Sequence, residues 1–505
     1  MKKRNLIVKG ITAALVFCLV YGTTLIYHNE FKSFSVVALE DNSNWNEAIN
    51  GTYCICPMYT VVNLRSDTSL NSDIVCSIPQ GTNFTVTAVN GEWAKVEYNG
   101  KNGYIMYDHI TKAVWDGSYD TSWYDDQDDK LYIFTAAELA GLAHLVNESG
   151  KNFDGITIYI ENDIDLSGGK WTPIGEYPEK IFKGTFDCQN HSIKNIAFSY
   201  TAMNDGYVPK GSGLFGYCEG SIKNTTIDNC MISTSSNFYS AMGGVCGVLS
   251  NGSIENCVVS GIIKSSNYSS SSRHQLFVGG IVGDIQGVCT INQCKSTADV
   301  TIQGDDVVSA GGICGSVHGD SIINECASLG KTYSHATNGG GGYYADGSVA
   351  PQEQNYSGGI CGKVYEGSLT IKNSYNQGKV ESNSTDTDIK GNIHEYECSR
   401  AGGIIGELNK SSSIYDSYNT GEIIGYYSGA ITVLREQETI LENVYYLSSC
   451  CKIGIADGID SSIAKSMLNL KKEAFVEKLG DKFTYSENNY PKATPHNCQT
   501  SKNMI

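Results

Sequence analysis

The sequence predicts an all-β protein, a small barrel followed by a right-handed parallel β-solenoid with short helical caps. Three observations predict it. A glycine-opened phrase recurs six times, from "GSGLFGYCEG" at Gly211 to "GGIIGELNKS" at Gly402. The segments between are rich in Ile, Val, Tyr, Ser and Asn and carry no helical periodicity. Ahead of them, residues 53–112 alternate apolar and polar positions between the turn pairs Asn90-Gly91 and Asn99-Gly100.

The repeat justifies the solenoid. The glycines before each apolar pair (213, 244, 280, 312, 359, 403) are separated by 31, 36, 32, 47 and 44 residues. Gly429-Ala430-Ile431 is read as a worn seventh unit. Short strands broken at Gly and Asn corners stack as coils, each backbone bonding the coils above and below. The glycines then serve either a tight corner or close approach of neighbouring backbones. Asn and Ser before the Cys position are expected to form ladders down the axis. "FTAAELAGLAHLVNESG" opens with Thr135 and Glu138 three residues on, a capping box, and is expected to cap one end. "LKKEAFVEKLG" (470–480) is expected as the second cap, over the open edge of the last coil.

Organisation follows from these elements. Residues 1–38 read as a signal peptide: Lys2, Lys3, Arg4 and Lys9 precede an uncharged apolar run from Ile11 to Tyr27, and Val36-Val37-Ala38 offers a cleavage site. An uncleaved N-terminal anchor, the one expected membrane contact, is the alternative. The barrel takes 53–112, an acidic linker 113–130, the solenoid 131–447, a C-terminal cap 448–495 and a tail 496–505. The chain carries a formal charge of −18, and the first 38 residues contribute +4, leaving −22 after export. Such a surface repels nucleic acid, which is not expected as a partner. The product is expected outside the cell or on its surface.

Eighteen Cys would suit a disulfide framework in an exported chain. Their placement favours stacked free thiols. Cys246, Cys314 and Cys361 share one repeat position, and Cys230, Cys257, Cys294 and Cys326 another, where Ser374 and Ser417 follow. Zinc-site spacing is absent, and no metal or cofactor is expected.

Two family resemblances rest on these residues. Asn63-Leu64-Arg65-Ser66, Pro79-Gln80-Gly81, Trp93-Ala94-Lys95-Val96 and Gly103-Tyr104-Ile105 resemble a bacterial SH3-like domain. The resemblance implies a non-catalytic module for cell-wall peptide or glycan. Trp93 and Tyr104 are read as core, and Arg65, Tyr98 and Tyr107 as surface ligand candidates. Gly213-Leu214-Phe215-Gly216 and Gly403-Ile404-Ile405-Gly406 resemble the GLUG repeat, with Cys in the second apolar place of Gly244-Val245-Cys246-Gly247. That resemblance implies a secreted or surface-attached bacterial protein. For the whole chain, cell-wall peptidoglycan or glycan, or a host or neighbouring-cell surface ligand, is the expected partner.

No catalytic motif emerges. The nine His include no pair four apart, and no Gly-x-Ser-x-Gly elbow exists. A solenoid carbohydrate enzyme, glycosidase or lyase, is the alternative function; Asp305-Asp306 offers paired carboxylates but lacks the flanking motifs such enzymes use. The long steps place two insertions at one repeat position, and Tyr333, His335, Tyr343 and Tyr344 in the first are candidates to stack on sugar or protein. A solenoid that only spaces other modules is a third reading.

Overall fold

A computed structural model describes residues 45–493 apart from internal stretches, the longest being 203–209, 267–274, 338–354, 388–392 and 457–463. The expected signal peptide, the tail, Asp305-Asp306, Tyr343 and Tyr344 lie outside the described residues. No helix among the described residues is long and apolar enough to cross a membrane.

Residues 51–112 form a seven-stranded antiparallel sheet closed around Leu64, Ile78, Val86, Ala94 and Ile105, each fully buried. The alternation that predicted these strands is the alternation of burial, as in Asn83–Val89. Both turn pairs act as read. Asn90 Oδ1 accepts from the Glu92 and Trp93 amides at 3.1 and 2.8 Å, and Asn99 and Gly100 both have positive φ.

The stretch expected as an acidic linker is instead a strap packed against the solenoid. Trp115 is buried against Gly168 and Gly169, where any side chain would strike it or the strap backbone. The Val114 and Trp115 amides donate to Ser167 O, and the Asp120 amide donates to Ala137 O at 2.8 Å. The aromatic content of the strap, rather than its charge, decides its fate: burying one indole outweighs what exposed aspartates gain from solvent.

The remainder is a parallel β-solenoid. Each central coil gives one strand to each of two seven-stranded sheets and two or three short strands to a long third sheet. One column keeps its register through six coils. Ile222, Ile254, Ile291, Ile323, Ile371 and Ile414 stack in one buried column. Helix α1 (Ala136–Asn147) carries the capping box, with Thr135 Oγ1 accepting from the Glu138 amide and Glu138 Oε2 accepting from the Thr135 amide at 2.9 Å. Its Leu139, Leu142 and Val146 join the solenoid core.

The second cap differs from expectation. Helix α2 (Glu473–Leu479) lies on the flank of the coils. Its Phe475 packs on Tyr418 and Tyr445, and Tyr375 and Tyr418 stack face to face at 5.1 Å. The strand Ala464–Met467, not the helix, pairs with the Ile440–Leu447 edge, in parallel register.

The glycines and asparagines divide the work between them. None of the repeat glycines Gly244, Gly280, Gly312, Gly359 and Gly403 has a positive φ. A β-carbon on Gly312 would lie 2.0 Å from Ser328 Oγ and 2.2 Å from Gly359 O, so close approach is what requires glycine there. The left-handed corners fall on Asn224, Asn256, Gln293, Glu325, Asn373, Asp416 and Asn443. Their side chains form the expected ladder: Asn256 Nδ2 donates to Asn224 Oδ1, and Asn443 Nδ2 donates to Asp416 Oδ1, both at 2.9 Å.

Immediately after these corners, Asn443 excepted, sits a small donor. Cys257, Cys294 and Cys326 give their S–H to the carbonyl two residues back at 3.2–3.3 Å, and Ser374 and Ser417 give O–H in the same way at 2.8 and 2.6 Å. The slot therefore accepts Cys or Ser for one reason. Cys230 does not share it. Thr226 pairs with Val258, which puts Thr225 opposite the Cys257 slot, and Cys230 lies five residues further on, opposite Gly261. All fifteen described cysteines are unpaired thiols. Burial pushes the Cys230 thiol up to about 12 and raises those of Cys257, Cys294 and Cys314. Among the described cysteines, a fast reaction of native protein with an aromatic disulfide reagent is therefore expected only at the half-buried Cys56, Cys76 and Cys451, the coil thiols reacting on unfolding. Cys326→Ser is expected to change stability by less than ~1 kcal/mol because the donor is kept. Fast native reaction of the coil thiols would contradict this packing.

Candidate functional site

A groove of about 170 Å³ crosses the barrel face, lined by residues of the Val61–Arg65 strand, Tyr59, Leu70, Trp93, Met106 and His109. The strand alternates out and in, so Val61, Asn63 and Arg65 point one way while Val62 and Leu64 enter or approach the core. Val61, Leu70 and the neighbouring Ile74 are 51, 60 and 54 % exposed, an apolar surface at the groove that the barrel does not use itself. Tyr59 and His109 close one end with ring centroids 4.3 Å apart. Arg65 gives one guanidinium N–H to Ser72 O at 3.0 Å, which fixes the side chain while leaving further N–H groups toward the groove. An aromatic and aliphatic lining beside one oriented guanidinium suits a short peptide or saccharide bearing a carboxylate or carbonyl.

Of the barrel candidates read from sequence, only Arg65 lines this groove. Tyr98 and Tyr107 are half-buried and pack against the barrel core, Tyr107 beside Tyr53 at 6.3 Å. Trp93, read as core, is 8 % exposed and serves both core and groove. Tyr59, Leu70, Met106 and His109 were missed. The groove assembles from chain segments far apart in sequence, and the one local signal was the apolar Val61 on an otherwise polar strand face.

Tyr333 and His335, expected on an insertion loop, lie on the strand Thr332–Thr337 of the long sheet. Both are half-buried. His335 Nε2 lies 2.9 Å from Thr385 Oγ1, and Lys331 Nζ sits 4.7 Å over the Tyr333 ring. Burial holds the His335 imidazole below its usual range. These two are sheet residues in contact with the next coil, and the insertion proper begins after Thr337. The two insertions fall at the same corner, before the strands Asn355–Gly358 and Ser399–Gly402.

A second cluster was not anticipated. Where the two smaller sheets face each other, Phe277, Ser309, Tyr356 and Arg400 align on one, and Asp284, Ser316, Lys363 and Glu407 on the other. Asp284 is 1 % exposed. It accepts from Tyr239 Oη at 2.6 Å, Gln286 Nε2 at 2.9 Å and Ser316 Oγ at 2.5 Å, and lies 2.8 Å from His318 Nδ1. His318 stacks on Tyr365 at 5.0 Å. Lys363 and Arg400 both donate to Tyr356 Oη, at 2.7 and 3.1 Å, and both pair with Glu407. The residue types suit acid–base chemistry. As placed, both Asp284 oxygens are occupied inside the protein, and the network joins five successive coils. Among the described residues no group of His, Cys, Asp and Glu is arranged to hold a metal ion.

No curated protein matches the chain at a significant level. Residues 238–264, the unit containing Gly244-Val245-Cys246-Gly247, match the family model of the GLUG motif, and residues 60–111 match that of the bacterial SH3 domain, so both resemblances read from the sequence stand.

Proposed function

We propose that this is an exported, non-catalytic protein of the bacterial cell wall or surface, whose barrel groove holds wall peptide or glycan while the solenoid presents a second interaction surface. The observation that carries the reading is the barrel groove, with exposed Val61 and Leu70, the Tyr59–His109 pair and an oriented Arg65, on a domain whose family is one of wall-binding modules. The acidic solenoid supports a division of labour, since it repels anionic wall polymers at long range and leaves retention to the barrel.

Retention on purified peptidoglycan tests this. Arg65→Ala and Leu70→Asp are each expected to weaken binding by roughly 5- to 30-fold, the effect of removing one oriented contact worth about 1–2 kcal/mol. Tyr107→Phe is expected to bind as the parent does. Undiminished retention of both groove variants would overturn the assignment.

A further inference from the structure

A second cavity of about 170 Å³ lies on the solenoid cap, between the strap, helix α1 and the start of the first coil. Its inner side is aromatic. Trp115 and Trp171 are 6 and 1 % exposed, with centroids 6.4 Å apart, and both indole N–H groups are already satisfied, by Ser118 O and by Gly213 O and Leu214 O. What the indoles present to the cavity is therefore carbon. Tyr119 forms one wall. It is 56 % exposed and stacks on His144 at 4.1 Å and 10°, which holds a solvent-facing aromatic ring in a defined plane.

The rim is polar. Glu148, at the C-cap of α1, and Lys170 and Thr172, flanking Trp171, all line the opening and are exposed. None of the three side chains has a hydrogen-bond or ionic partner among the described residues. The frame beneath them is rigid. Asn147 donates to Pro173 O and accepts from the Gly175 and Glu176 amides at 2.9–3.0 Å, tying the helix end to the first coil.

We infer that this cavity binds one neutral sugar ring, bare or N-acetylated. Carbon faces on aromatic walls, with acceptors and donors around the edge, match a pyranose, whose C–H faces are apolar and whose hydroxyls both give and accept. Glu148 and Lys170 carry opposite charges at the same opening, so the rim selects neither anions nor cations. The volume suits a single ring, since drug-sized ligands fill about 300–1,000 Å³. This site is separate from the barrel groove and does not rest on the function proposed for it.

The test is titration of the purified chain with glucose and with N-acetylglucosamine, followed by tryptophan fluorescence and by saturation-transfer NMR. Saturable binding of at least one sugar is expected, with a Kd on the order of millimolar for a single ring. Tyr119→Ala and Glu148→Gln are each expected to weaken it at least ~5-fold with circular dichroism and melting unchanged, since both side chains are exposed. Absence of saturable binding by either sugar, or wild-type affinity in both cap variants, would each overturn the inference.

Discussion

Gly312→Val is expected to destabilise the solenoid by at least ~3 kcal/mol, several times the effect of an ordinary glycine-to-alanine propensity change. The reason is steric. The new β-carbon would fall within 2.0–2.2 Å of Ser328 Oγ and Gly359 O. The serine can rotate, but the carbonyl belongs to the next coil's backbone, and the Gly312 amide already bonds the adjacent Gly358 O at 3.1 Å. Relief requires the two coils to part. Because each coil touches only its neighbours, the damage is expected to stay local. Hydrogen exchange should quicken over residues 280–360 and stay unchanged in the barrel. Unaltered exchange around Gly312 would show that the glycine phrase is not a packing device.

The repeat was legible because every coil makes the same demands at the same places, so a requirement for a small residue appears six times rather than once. What each small residue does was less legible. Composition marks glycine as the corner former, yet the left-handed corners belong to Asn224, Asn256, Gln293 and their relatives, and the glycines of the phrase serve close contact. The phrase Asn229-Cys230 imitates Asn256-Cys257 in sequence, yet the slot of that coil falls five residues earlier, on Thr225 after Asn224. The strap was misjudged for a related reason: its aspartates dominate the composition, while Trp115 dominates the energetics. The barrel fold was legible from turn chemistry, but its groove was not, because Tyr59, Leu70, Trp93 and His109 come together only after closure.

The buried network had a signal that went unused. Asp284, Ser316, Lys363 and Glu407 each stand four positions after a repeat glycine, and Phe277, Ser309, Tyr356 and Arg400 each stand three before one. Polar residues recurring at a fixed place in a repeat look like a solvated edge. Here the two strands flanking the glycine turn toward each other and enclose them, so the same pattern describes an interior.

Asp284→Ala is accordingly expected to cost about 3–5 kcal/mol, the scale for breaking a buried charged network from one side. The loss would leave Tyr239 Oη, Ser316 Oγ, Gln286 Nε2 and His318 Nδ1 without their shared acceptor, which is itself 1 % exposed. The pH dependence gives an independent reading. Burial alone would lower the His318 imidazole, but the hydrogen bond and charge of Asp284, with Glu366 beyond, raise it above its ordinary value. Tyr365, which stacks on the ring, is itself held protonated by burial. A group whose folded value is raised contributes fully below its unfolded value, ~6.5 for imidazole, and loses that contribution as pH climbs through the folded value. Denaturant unfolding of the parent protein should therefore show a stability component that is present in mild acid and fades from about neutral pH upward. Asp284→Ala should remove that component, and His318→Gln should remove it while keeping most of the packing against Phe277 and Tyr365. A His318→Gln protein with the parent's pH slope would show that the Asp284–His318 pair does not couple these coils to pH.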